Sequence, residues 1–131
     1  MNIIFFNNLL TNNTMRGIVL YNRRGTYMDI QLKRGMLDIC VLATIKDEES
    51  YGYKIIKDIK PYVELSESTL YPILRRLESA RLLNVRSAEH NGRLRKYYLI
   101  TELGLKRIED FKSEWREMIS IYKFIVGEEL K

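Results

Sequence analysis

The stretch SESTLYPILRRLESARLL, residues 66–83, most narrows what this chain can become. Leu70, Ile73, Leu74 and Leu77 fall at i, i+3, i+4 and i+7, a single apolar stripe along a helix. The other face carries Ser68, Thr69, Tyr71, Pro72, Arg75, Arg76 and Ser79. Arginines, small hydroxyls and a tyrosine beside a clean core stripe suit a helix that lies in a DNA major groove. An ordinary amphipathic surface helix would show the same stripe, so the flanking segments have to decide.

Upstream, Leu32 to Ile45 reads as a first helix, apolar on most sides and therefore largely buried. Asp47-Glu48-Glu49-Ser50 is a polar break, with Ser50 placed to cap the next helix. Tyr51 to Ile59 reads as that second helix, with Tyr51, Ile55, Ile56 and Ile59 inward and Lys54, Lys57 and Lys60 outward. Gly52 would let this helix pack closely on the first, and Pro61 stops it. Ser66 or Ser68 caps the third helix, and Pro72 must lie in its first two turns, where a missing N–H costs least. Two helices joined by a short connection, the second bearing basic and hydroxyl side chains, make a helix-turn-helix.

Downstream, Leu83, Val85 and Ser87 alternate with polar or small residues, as in a half-buried strand. Asn91-Gly92 is the strongest short hairpin signal, since a type I′ turn needs positive φ at both central residues. The return strand runs from Arg93 to Ile100 and puts Arg93, Arg95 and Lys96 at or near the tip, within reach of a minor groove or of phosphates. The expected fold class is therefore mainly α with a small β-hairpin wing, a winged helix-turn-helix.

Thr101 caps a last helix, and Glu102 suits the positive end of its dipole. Ile108, Phe111, Trp115, Met118, Tyr122 and Ile125 then succeed one another at spacings of three and four, an a/d seam. A small winged domain has little to cover such a seam. The expectation is a homodimer interface made by this helix, packing within the chain being the other reading.

Charge agrees with this division. The net +5 includes three arginines and no acid in residues 1–27, leaving 19 basic against 17 acidic side chains in the rest. Between Glu67 and Tyr98 seven basic residues face three acidic ones, a local excess that favours phosphate. After Thr101 the helix has six basic and seven acidic residues and is not the DNA-binding part.

The expected organisation is a leader or N-terminal arm over 1–27, a winged DNA-binding domain over 28–101 and a dimerisation helix over 102–131. Arg23-Arg24 can be encoded by AGGAGG, the core of a bacterial ribosome-binding site, three codons before Met28. Natural translation is expected to start at Met28. The alternative is a native arm that reaches for DNA or a partner subunit.

Other function classes find little footing. Cys40 is the single cysteine, so no intrachain disulfide forms, and it reads as a buried structural thiol in a cytoplasmic protein. No run approaches the roughly 18 apolar residues of a membrane span. His90 is the only histidine and sits on the hairpin tip. No metal-ligand spacing, phosphate loop or nucleophile elbow appears, so no catalytic residue, metal or cofactor is expected. The serious rival is a winged-helix protein-interaction module without specific DNA binding, since fold does not fix function.

The residues above resemble the PadR-like transcriptional regulators. Five stretches carry the likeness: LKRGMLDICVL (32–42), YGYKIIKDI (51–59), SESTLYPILRRL (66–77), GRLRKYYLIT (92–101) and ELG (102–104). Together they cover nearly all of residues 30–126, and the single last helix is similar to the short subfamily. The resemblance implies a dimeric winged repressor on an inverted-repeat promoter site. Ser68, Thr69, Tyr71 and Pro72 match the start of the family's recognition helix, and Arg93, Arg95 and Lys96 match its wing contacts. Lys54, Arg75 and Arg76 join the wing cations as phosphate candidates on charge alone. Trp115 sits where some members place an aromatic against a small planar hydrophobic effector; a packing role in the dimer core is the other reading.

Overall fold

A computed structural model describes residues 3–4, 19–21, 27–28 and 30–128. The chain divides into two compact units, residues 1–37 and 38–131. In the first, β1 (Ile3–Ile4), β2 (Val19–Tyr21) and β3 (Tyr27–Met28) form a small antiparallel sheet, with Ile3 opposite Leu20 and Tyr21 opposite Tyr27. The rest of the proposed arm lies outside the described residues. Helix α1 (Ile30–Thr44) begins in this unit and ends in the second, its first residue two positions ahead of the expected start.

The second unit keeps the expected order: α2 (Gly52–Ile59), α3 (Glu67–Ser79), β4 (Leu83–His90), β5 (Arg93–Ile100) and α4 (Glu102–Val126). The stripe of α3 is its core face, with Leu70, Ile73, Leu74 and Leu77 all buried. They join Val41, Leu42 and Ile45 of the α1 end, Ile55 and Ile59 of α2, Leu83, Tyr98 and Ile108. Cys40 is only half-buried, against the expectation of a fully buried thiol, and burial still raises its thiol pKa above the ordinary value.

The helix ends have local causes. Ser66 caps α3 by accepting from the Thr69 N–H at 3.3 Å. Pro72 sits in the second turn and donates nothing to the Ser68 carbonyl. At the other end Arg81 takes φ +61°, and the Arg81 and Leu82 N–H groups bond the Glu78 and Leu77 carbonyls, at 2.9 Å each. That is a Schellman ending with arginine where glycine is usual. It turns the chain straight into β4, so α3 is shorter than the 66–83 stretch suggests.

Ser50 does not cap α2. It forms a bridge with Tyr98 instead, exchanging backbone hydrogen bonds of 3.1 and 2.7 Å, and makes a third, one-residue rung of the wing sheet. Tyr51, not Ser50, is the N-cap residue, extended and without a side-chain cap bond. The tip is as expected: Asn91 and Gly92 take φ +50° and +77° and join His90 to Arg93. Thr101 caps α4 by accepting from the Gly104 N–H at 3.1 Å.

Candidate nucleic-acid interface

The strand period sorts the wing. Val85 and Ser50 pair with Tyr98 from either side, and Tyr98 is buried. Alternation therefore puts Leu94, Lys96 and Ile100 on the face of Tyr98, and Arg93, Arg95, Tyr97 and Leu99 on the opposite face.

Between the wing, the start of α2 and the start of α3 lies a groove of about 1000 Å³. Tyr51, Gly52 and Tyr53 line it from α2, Tyr71 from α3, and residues of the span from His90 to Tyr98 from the wing. Tyr71 reaches it because position 52 has no side chain. A Cβ there would stand 2.8 Å from the Tyr71 hydroxyl. Gly52 thus serves the seat of α3's tyrosine, not the α1–α2 packing expected from sequence. Burial lifts the Tyr98 hydroxyl pKa above the ordinary tyrosine value, helped by Tyr71 and Glu78, with Arg75 opposing.

The groove brings together four of the ten proposed DNA-binding residues: Tyr71, Arg93, Arg95 and Lys96. Ser68 and Thr69 lie on the exposed first turn of α3. Their hydroxyls are within 2.9 and 3.0 Å of the Ser66 hydroxyl, so the cap holds them in place. Pro72 and Arg75 are exposed on the same helix.

Two expected phosphate ligands have partners inside the chain. Arg76 is half-buried and makes a two-pronged contact with Asp38 of α1, its Nε donating to Oδ2 at 3.4 Å. By helical phase it stands about 20° from Thr69, two turns further along α3, where its contact with Asp38 ties two helices together. Lys54 donates to Asp58 at 2.9 Å and lies 3.9 Å from Glu48, and the Asp58 bond raises its pKa. A lysine so placed must release a carboxylate before it meets a phosphate.

Tyr51, Tyr53 and Leu94 line the groove without having been proposed as site residues from the sequence. Tyr51, expected inward on α2, stands instead on the outer face of the wing, in contact with Arg95. The signal is present in the Tyr-Gly-Tyr triplet, whose glycine leaves room between two rings.

Along α4, Ile108 departs from the expected interface. It is 6% exposed and belongs to the chain's own core. Phe111 is half-buried and stacks on Trp115, with centroids 6.0 Å apart and planes at 20°. Trp115, Met118, Tyr122 and Ile125 are exposed, as are Ile119, Ile121, Phe124 and Val126. Among the described residues no helix is long and apolar enough to cross a membrane, and no group of His, Cys, Asp and Glu is arranged to hold a metal ion.

Known proteins agree with this architecture. A PadR-like transcription factor from Bacteroides fragilis is 32% identical, covers 72% of this chain and 94% of its own, and superposes with a TM-score of 0.67. A PadR-like transcriptional regulator from Bacillus cereus is 31% identical, with coverages of 76% and 99% and a TM-score of 0.64. Bacillus subtilis PadR in complex with operator DNA shares the fold at 22% identity, with coverages of 57% and 45% and a TM-score of 0.54. The profile of the transcriptional regulator PadR-like family matches residues 41–110, more than half of the chain. The match runs from the buried end of α1 through the helix-turn-helix and the wing into α4, and the chain belongs to the PadR-like family of transcriptional regulators.

Proposed function

We propose that the protein is a sequence-specific DNA-binding repressor that acts as a homodimer on an inverted-repeat promoter site. The observation that carries the reading is the groove, where Tyr71 of α3 and the basic wing tip converge. Ser68, Thr69 and Tyr71 on the first turns of α3 read base edges and thymine methyls, with Pro72 in the same turns. Arg75, Arg93 and Lys96 meet phosphates, which supply affinity and its salt dependence. The PadR protein of the same fold solved on operator DNA is consistent with this use of the scaffold.

Dimerisation rests on α4. Phe111, Trp115, Met118, Tyr122 and Ile125 form a seam that the chain leaves largely uncovered. Packed on a second copy, it would set two α3 helices about 34–36 Å apart for successive major grooves. A small planar hydrophobic effector held at Trp115 would favour a dimer of the wrong spacing and release the DNA.

The test is fluorescence anisotropy of a labelled fragment of the protein's own upstream promoter, at low and moderate salt, with random duplex as control. The expected result is tight, salt-dependent binding to one dimer site, well above the control. Equal, weak binding to both duplexes, for this fragment and for a genomic library of fragments, would overturn the reading in favour of a protein-interaction module.

A further inference from the structure

We propose that Arg95 is a positioning residue of the wing, not a phosphate ligand. Its guanidinium, laid over Tyr51, works with the Glu49–Arg86–Tyr97 contact to fix the hairpin on the segment entering α2. The inference rests on the DNA-binding reading above only for what the fixed wing is used for.

The wing needs such a clamp. Among the described residues, its backbone hydrogen bonds to the segment entering α2 are the two of the Ser50–Tyr98 rung. Leu83 and Tyr98 anchor the base of the hairpin in the core, and the strands run on past them toward the tip. The register then places the residues flanking that rung, Glu49 and Tyr51, on the sheet face opposite Tyr98, together with Tyr97 and Arg95 of β5 and Arg86 of β4. The Arg95 guanidinium carbon lies 4.0 Å from the Tyr51 ring centre and 6.0 Å from that of Tyr97. The two rings meet edge to face at 6.0 Å and 74°. Arg86 lies 4.5 Å over Tyr97 and reaches past it to Glu49, its Nε donating to Oε2 at 2.7 Å and its second nitrogen to Oε1.

Strand, strand and connecting segment are thus bound on one face by alternating cations, rings and a carboxylate. A guanidinium over an aromatic face is held by the ring's negative quadrupole, and planar stacking is something a lysine does not reproduce. With this face fixed, Arg93 and Lys96 are presented at a set distance from α3, so the wing and the recognition helix engage one duplex together.

The experiment uses the full chain and four variants: Arg95→Ala, Arg95→Lys, Tyr51→Leu and the double Arg95→Ala/Tyr51→Leu. In the free protein, hydrogen exchange at the Ser50 and Tyr98 amides is expected to speed up by about the same factor in every variant, the double being no faster than the singles. On operator DNA, each is expected to lose about 3- to 10-fold in affinity, on the scale of one cation–π contact. The slope of log K against log salt should be unchanged. A phosphate ligand behaves otherwise: Arg95→Ala would flatten the slope by about 0.9, Arg95→Lys would restore binding, and Tyr51→Leu would do neither. That pattern overturns the proposal, as does wild-type exchange at Ser50 and Tyr98 in the variants. The exchange measurement needs no DNA, so absence of specific binding by the wild type would sink the regulatory reading while leaving the clamp to be judged by its own result.

Discussion

Gly104→Ala is the substitution whose cost the structure sets most sharply. Gly104 is buried in the first turn of α4, where an added Cβ would stand 2.2 Å from the Leu82 carbonyl oxygen and 2.6 Å from Cγ1 of Ile100. The Ile100 atom can swing away; the carbonyl cannot. Leu82 O accepts from the Thr101 N–H at 3.1 Å, and the Thr101 hydroxyl donates to the Arg81 carbonyl at 2.8 Å. The Leu82 N–H is itself spent on the end of α3, at 2.9 Å from the Leu77 oxygen. Relief therefore means lifting the start of α4 by about an ångström, with loss of one hydrogen bond worth roughly 1 kcal/mol. Overpacking adds about 1–3 kcal/mol, while alanine's better helix propensity returns about 1 kcal/mol. The net expectation is a loss of about 2 kcal/mol, or roughly 10 °C in the melting temperature of a domain this size. The assay is thermal unfolding tracked by circular dichroism, at one fixed protein concentration because the proposed dimerisation would make the midpoint concentration-dependent. A variant that melts within about 2 °C of the wild type, a shift worth only a few tenths of a kcal/mol, or one rescued fully by Ile100→Ala, would refute the claim that the backbone oxygen is the obstacle.

Arg81→Gly should move the other way, because the left-handed φ of +61° strains any side chain that glycine lacks. A gain of up to about 1 kcal/mol is expected in the same melts, and a loss would mean the Arg81 side chain matters more than its backbone. The Arg86 hydrogen bonds hold the Glu49 carboxyl below its ordinary pKa. A carboxylate depressed in the folded state stabilises above its unfolded value and loses that contribution as the pH falls through the folded one. Glu49→Gln should therefore lower the urea midpoint at about pH 6, by a margin that shrinks as the pH falls through the folded pKa; a margin that does not change with pH would contradict the pairing. Cys40, its pKa raised by burial, should react with iodoacetamide at about pH 7.5 much more slowly in the native protein than in the unfolded one, whereas equal rates would place the thiol in solvent.

Elements set by local chemistry are legible in the sequence; those set by long-range contacts are not. The α3 stripe, the Ser66 and Thr101 caps and the Asn91-Gly92 turn each depend on a few neighbouring residues, and all of them stand where the sequence puts them. Ser50 looks like a cap because serine before a helix usually is one. Its partner, Tyr98, is far along the chain and nothing local announces it. The same distance hides the contact of Arg76 with Asp38, since a basic residue next to the apolar stripe reads as solvent-facing until another helix supplies a carboxylate. Ile108 heads a seam that periodicity treats as uniform, although only its first member is buried by the chain itself. For the residues proposed to touch DNA, the division into free and committed cations is likewise hidden, because the partners of Arg76 and Arg95 lie elsewhere in the chain.

That division has a consequence in solution. On charge alone, six cations per protomer are candidates for phosphate: Lys54, Arg75, Arg76, Arg93, Arg95 and Lys96. In the structure Lys54 and Arg76 have carboxylate partners and Arg95 lies on Tyr51, while Arg75, Arg93 and Lys96 have no ion-pair partner among the described residues. Each phosphate neutralised contributes about 0.9 to the slope of log K against log salt, because the counterions it held are released. A cation already paired within the protein gives up its partner on binding and releases little. In the proposed dimer, three free cations per protomer imply a slope of about −5, whereas all six would imply about −11. Anisotropy titrations of the operator across about 50 to 200 mM salt separate the two by several decades of affinity. A slope near the larger figure would mean that the internal pairs of Lys54 and Arg76 dissolve on DNA and that the free structure does not present the bound arrangement of charge.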